Sequence, residues 1–302
     1  MKKRNRREFL CLSAAVAAQT ILPRATAADQ KKGMRLGVFI SMENEPEAVM
    51  ARVQEAGFPT CQVSAEDFAP ELARRLKEAA QVKGIEITAL SSLGPGRHIW
   101  DFYEGPLTIG LVPAATRRQR IDHMKKASDF AKLCGVPALH SHAGFIPENP
   151  NDPVVKETVE ALREVVQHCK ANGQSFLYET GQESPITLLR TIREVGLDNQ
   201  FVNLDTANLI LYGKGNPNDA LDVVGKLVRG VHAKDGLFPT DPRSLGKEVP
   251  IGEGKVNFPR LIQRLKQLGY TGALTIEREI SGPKQAEDIR KSRLLLEKLI
   301  HS

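Results

Sequence analysis

The sequence predicts a single (β/α)8 barrel, and three observations carry that reading. From Met34 onward, short β-prone runs alternate with helical patterns, which argues for a parallel sheet flanked by helices. Four of the runs stop at residues able to do chemistry: Phe176-Leu177-Tyr178-Glu179, Phe201-Val202-Asn203-Leu204-Asp205, Val231-His232-Ala233-Lys234-Asp235 and Leu274-Thr275-Ile276-Glu277. Those ends repeat at one interval: Glu179 to Asp205 is 26 residues and Asp205 to His232 is 27, each a strand-plus-helix unit. His232 to Glu277 is 45, a unit plus a long insertion.

The first residues read as an address. Asn5-Arg6-Arg7-Glu8-Phe9-Leu10, the apolar run Leu10 to Ala18 and the small-residue site Ala25-Thr26-Ala27 predict a twin-arginine signal peptide over 1–27 and a periplasmic mature chain. The run is interrupted by Ser13 and followed by Gln19 and Thr20. It falls short of the roughly 20 apolar residues that span a bilayer, so no membrane anchor is expected after cleavage. The segment carries six basic residues against Glu8, five of the formal +6. The mature chain is therefore close to neutral and has no basic cluster with interleaved aromatics, which argues against a nucleic-acid partner. Cys61, Cys134 and Cys169 follow neither metal nor disulfide spacing and read as buried thiols.

The barrel is expected over 34–302, taken in order. Arg35 to Ile40 is a strand, Glu45 to Ala56 a helix stopped by Gly57, Thr60 to Ser64 a strand, Asp67 to Val82 a helix stopped by Gly84, and Ile85 to Leu90 a strand. Ser91 to Thr116 is too long for an ordinary βα loop and reads as a lid. It holds Trp100, the one tryptophan of the chain, either as an apolar wall for a sugar ring or as loop packing. Arg117 to Cys134 is a helix. On the strand Ala138-Leu139-His140-Ser141-His142, alternation puts both histidines on one face, with His142 at the mouth against substrate or metal and His140 one layer down.

Asp152 to Asn172 is a helix closed by Gly173. After Glu179, Gly181-Gln182-Glu183-Ser184-Pro185 opens a helix with Glu183 in its first turn, as a capping acid or a substrate contact. After Asp205 the run 206–213 turns sharply and leaves Asn208 and Lys214 near the mouth. The insertion holds Gly252-Glu253-Gly254-Lys255, but Val256 follows the lysine, which excludes a P-loop, and no GxSxG marks a serine hydrolase. Gln285 to Ile300 is the closing helix.

In a parallel barrel the strand C-termini lie on one face, so Glu179, Asp205, His232 and Glu277 are expected to converge. Three carboxylates and an imidazole form a cluster that calls for a cation, and oxygen-rich ligation with one nitrogen points to Mn²⁺, Mg²⁺ or Co²⁺, with Zn²⁺ admitted. Lys234 shares the His232 face, where it either stabilises a developing oxyanion or pairs with Asp235 or Glu253.

Glu179, Asp205, His232-Ala233-Lys234-Asp235, Gly252-Glu253-Gly254 and Glu277 resemble the signature of the xylose isomerase-like TIM barrels, the sugar phosphate isomerase/epimerase superfamily, over Met34 to the C-terminus. The resemblance implies that Glu179, Asp205, His232 and Glu277 bind one divalent metal. It also implies that Glu179 and Glu277 act as acid and base, assisted by Lys234, on a carbohydrate contacted by His142, Asn208, Glu183, Trp100 and Glu253. Two departures stand out. The epimerases of that family carry a histidine three residues after the metal-binding aspartate, where this chain has Asn208. The nuclease branch carries an Asp-x-His pair before the Gly-Glu-Gly turn, where this chain reads Gly246-Lys247-Glu248-Val249-Pro250.

The function expected is isomerisation or epimerisation of a free or keto sugar through a metal-stabilised enediolate. A lyase or hydratase expelling a β-substituent is the alternative, and a sugar-binding barrel without turnover the third reading. Export argues for an unphosphorylated substrate, and a homo-oligomer is left open.

Overall fold

Eight parallel strands close on themselves in the computed structural model, which describes residues 33–42 and 45–302. The expected signal peptide lies outside the described residues. In chain order the strands are β1 (Arg35–Ser41), β2 (Thr60–Ser64), β3 (Glu86–Ser91), β4 (Ala138–His142), β5 (Ser175–Glu179), β6 (Gln200–Asp205), β7 (Val228–Ala233), the short β8 (Asp235–Gly236) and β9 (Glu248–Val249), and β10 (Ala273–Ile276). The barrel runs β1-β10-β7-β6-β5-β4-β3-β2, while β8 and β9 pair with each other in the insertion after β7.

The helices are α1 (Pro46–Glu55), α2 (Pro70–Lys83), α3 (Gly105–Thr108), α4 (Ala114–Cys134), α5 (Pro153–Ala171), α6 (Pro185–Val195), α7 (Asn208–Leu211), α8 (Pro217–Val224), α9 (Phe258–Gln267) and α10 (Pro283–His301). Helices α1, α2, α5, α6, α8 and α10 each open on proline, whose fixed φ suits the first helical position and whose missing N–H is no loss there. Asp152 caps α5 by accepting from Val154 N at 2.9 Å, and Ser184 caps α6 by accepting from Thr187 N at 3.3 Å. Among the described residues no helix is long and apolar enough to cross a membrane.

Strand alternation sorts the barrel into two environments. The outward residues, such as Val63, Leu139, Phe176, Val202, Val231 and Ile276, pack against the helices in one continuous core with Met50, Leu76, Phe130 and Leu162. Each such side chain is worth about 1.5–3 kcal/mol of burial. The inward residues change character along the axis. Ala89, Ala138, Leu177 and Phe201 form a small apolar floor. Nearer the strand C-termini the inward residues are buried and polar, Gln62, His140, Asn203 and His232 within the strands and Glu179, Asp205, Lys234 and Glu277 at or just beyond their ends. One glycine makes this possible: Gly230 pairs with Asn203, and a Cβ there would lie 2.2 Å from Asn203 Oδ1. Cys61, Cys134 and Cys169 are buried free thiols.

Candidate active site

His232 sits at the centre of the mouth, and its orientation is fixed from below. Gln62 Nε2 donates to Asn203 Oδ1 at 3.1 Å, which leaves Gln62 Oε1 to accept from His232 Nε2 at 2.8 Å. Nδ1 of the same ring then faces Glu179 Oε1 at 3.0 Å and Glu277 Oε2 at 3.2 Å. An unprotonated nitrogen between two carboxylates repels both, so the position demands a proton or a shared cation. Burial disfavours the imidazolium, but Glu179 and Glu277 outweigh it and raise the His232 pKa well above the ordinary value.

Glu179 closes β5 among imidazoles. His140 Nε2 contacts its Oε2, and His142 Nε2 lies 3.6 Å from the same oxygen. Burial pushes this carboxyl upward, but His142, His140 and His232 together hold it well below the carboxylate range. Burial lowers the His142 pKa against the pull of Glu179. Its Nδ1 lies 3.1 Å from Gln182 Oε1, and its ring packs 5.1 Å, centroid to centroid, from the Trp100 indole, which is 42% exposed and roofs this side of the mouth.

The opposite wall is an ion-pair network. The Lys234 ammonium, fully buried, lies 3.0 Å from Asp205 Oδ2, 2.9 Å from Glu277 Oε2 and 2.9 Å from Glu279 Oε1. Burial opposes the Lys234 charge, but these carboxylates overcome it and raise the pKa well above the ordinary value. Burial likewise pushes Glu277 up, and Lys234 and His232 bring it far below the carboxylate range. Asp205 is driven the other way by burial, against the pull of Lys234. Its Oδ1 accepts the N–H groups of Ala207 and Asn208, both at 2.8 Å, which favours the carboxylate, and the ionised pair is the state this geometry describes. Lys234 thus pairs with neither Asp235 nor Glu253. Asp235 instead accepts the backbone N–H groups of Gly236, Gly252, Gly254 and Val256 at 2.9–3.1 Å, so the Gly-Glu-Gly turn is wrapped around a carboxylate.

The remaining expected residues divide. Asn208 opens α7 at the mouth and is buried beside Gly181. Glu183 is buried but lies outside the first turn of α6, because Ser184 takes the capping position, so the capping-acid reading fails. Neither of its carboxylate oxygens has a partner among the described residues, and burial pushes it up to about 8. Glu253 is exposed on the turn, its N–H donating to Pro250 O, and it joins none of the contacts that tie the mouth together. That placement follows from Asp235 gathering the backbone of the turn inward. Gln62, Asn203, His140, Gln182 and Glu279 complete the site. Alternation could have flagged Gln62 and Asn203 as polar residues on inward strand positions, and Glu279 as two residues beyond Glu277.

Glu179, Asp205, His232 and Glu277 each offer a ligand atom, all within 4.8 Å of one another, and could hold a metal ion. The donor set fits one: three carboxylates, an imidazole whose outer nitrogen is already satisfied, and an Asp205 with one oxygen saturated and the other turned inward.

The model of the family described as xylose isomerase-like TIM barrel matches residues 50–299. The chain belongs to that family. A solved xylose isomerase-like barrel, the xylose isomerase domain protein from Planctomyces limnophilus, superposes with a TM-score of 0.83 at 36% identity, covering 88% of this chain and 97% of that one. The curated relatives include a putative hydroxypyruvate isomerase of Homo sapiens, 28% identical over 232 residues, which span 70% of this chain and 76% of that protein. They also include an L-ribulose-5-phosphate 3-epimerase of Escherichia coli, 29% identical over 181 residues, 56% of this chain and 59% of that protein.

Proposed function

We propose that this barrel is a sugar isomerase or epimerase that moves a proton at the carbon next to a carbonyl, and that its substrate is an unphosphorylated keto sugar or glycoside derivative. The observation that carries the reading is that Glu179 and Glu277, from two different strands, both reach His232 Nδ1, at 3.0 and 3.2 Å. The names of the curated relatives support the class. Held by Glu179, Asp205, His232 and Glu277, a divalent ion would supply Lewis-acid polarisation of the sugar carbonyl.

The residues of the chain do the rest. Both glutamates lie low enough in pKa to be carboxylates at neutral pH, so one can accept the α-proton from one face while the other, once protonated, returns a proton to the opposite face. The Lys234 ammonium faces the charge that develops on the carbonyl oxygen. Trp100 lays an apolar wall against the ring, and His142 and Gln182 offer hydrogen bonds to its hydroxyls. The case against a phosphate rests on charge. Lys214 lies 3.5 Å from Glu148, and Lys234 is already held by three carboxylates, so a dianion would enter a mouth rich in acids. Export through the segment over 1–27 agrees with a substrate outside the cytoplasm.

The test is a panel of keto sugars, glycosides and their phosphates incubated with metal-loaded protein in heavy water and followed by NMR. Solvent deuterium at the α-carbon, with an epimer or aldose/ketose partner appearing, is the expected result. Loss of water or an alcohol would make the protein a lyase, and binding without exchange would make it a sugar-binding barrel.

A further inference from the structure

Asp205 has a single oxygen left to give. Its Oδ1 is taken by the N–H groups of Ala207 and Asn208, and Oδ2 faces the Lys234 ammonium at 3.0 Å. The same ammonium lies 2.9 Å from Glu277 Oε2. A cation bound by Asp205 and Glu277 therefore competes with Lys234 for Asp205 Oδ2 and stands next to a unit positive charge in a buried site, where like charges repel strongly. Lys234 has no free space on the His232 side, where the buried side chains of His232, Gln62 and Asn203 are locked together.

Its third carboxylate is of another kind. Glu279 lies on the loop after β10, its side chain is 58% exposed, and its Oε1 meets Lys234 Nζ at 2.9 Å. The backbone at this point is fastened: Glu279 N donates to the Glu248 carboxylate at 3.1 Å, and Glu248 is itself paired with Arg278 at 2.9 Å. A fixed backbone with a solvated acid at its tip is a landing place for the displaced ammonium.

We propose that Lys234 and Glu279 form an exchange pair. Lys234 ties Asp205 to Glu277 before a divalent cation arrives, and Glu279 draws the ammonium toward the mouth when the cation takes those oxygens. Glu279 is then a positioning residue: it lowers the cost of filling the metal site and, in the same movement, brings Lys234 to the level of the substrate carbonyl. The proposal rests on the metal reading above.

The experiment measures Mn²⁺ affinity by calorimetry on the whole protein, for the parent chain, Glu279→Gln, Lys234→Met and the double variant. The expected result is binding about tenfold weaker in Glu279→Gln and about tenfold tighter in Lys234→Met, the scale typical of groups that contact metal ligands. The Glu279→Gln effect should vanish in the Lys234→Met background, and Glu279→Asp should keep most of the parent affinity. Unchanged affinity in Glu279→Gln, or a loss that persists without Lys234, overturns the exchange pair while leaving the metal reading intact. Absence of saturable Mn²⁺ binding in all the proteins overturns the metal reading, and the pair with it. Circular dichroism checks each fold, and where Lys234→Met does not fold, Lys234→Gln takes its place.

Discussion

At neutral pH a carboxyl group buried without a hydrogen-bond partner keeps its proton, and Glu183 is such a group. Its pKa is raised from an ordinary 4.5 to about 8 by burial. Between those values the folded chain holds a proton there that the unfolded chain has lost, so this group makes stability fall as pH rises from about 4.5 to about 8. Glu183→Gln removes the titration. Denaturant unfolding at pH 5 and pH 8 should show the variant gaining on the parent by several kcal/mol across that interval, since each unit of pKa shift is worth about 1.4 kcal/mol. Equal pH dependence in the two proteins would mean that Glu183 is ionised and partnered. Gln62 invites a second substitution. Gln62→Leu leaves His232 Nε2 without its acceptor and frees the ring to turn, so metal affinity should drop about 10- to 100-fold in a titration while the fold persists. Residues of this kind were partly legible. Glu179, Asp205, His232 and Glu277 announced themselves by spacing, whereas Gln62 lies 170 residues from His232 and meets it only once the barrel closes.

Most strands bounded by glycine, proline and helical period were readable to within a residue, β2 and β4 at the bounds found, whereas β7 begins three residues before the run Val231 to Asp235 and ends two residues before it does. The two long loops were not readable, because they are organised by side chains from elsewhere. Arg120 of α4, fully buried, donates to the carbonyls of Pro95, Arg97 and Gly110 at 3.1, 3.1 and 2.8 Å. It pins both ends of the segment that carries Trp100. Gly110 (φ 71°) lies so close to the Ala143 carbonyl that a Cβ would come within 2.2 Å of its oxygen. The segment is thus a strap built in place, joined to the insertion after β7 by the Arg243 guanidinium stacked 4.7 Å from the Tyr103 ring centre. Because Trp100 is the one tryptophan, its fluorescence reports the strap directly. Arg120→Met should increase acrylamide quenching of Trp100 and raise KM several-fold more than it lowers kcat, while Arg120→Lys, which keeps a donor, should fall between. Unchanged quenching in Arg120→Met would show that the strap holds itself.

Across the whole molecule, the barrel organises charge. A closed parallel barrel brings the strand ends together whatever they carry, and here it gathers three carboxylates around one histidine with Lys234 as the internal counter-charge. The fold and this gathering were legible because the βα period and the strand ends coincide in the sequence. Glu253 lies exposed on its turn and not at the mouth, because Asp235 draws the backbone of that turn inward and leaves the Glu253 side chain outside, a long-range contact without a local signal. If the four strand ends hold a divalent ion, the metal content of the folded protein shows it. Protein purified in the presence of Mn²⁺ and passed through a desalting column should carry about one ion per chain, and His232→Ala and Glu179→Gln should carry almost none while keeping the parent circular dichroism. A folded parent chain without stoichiometric metal, or a His232→Ala variant that retains it, would rule out a divalent ion held by these four residues.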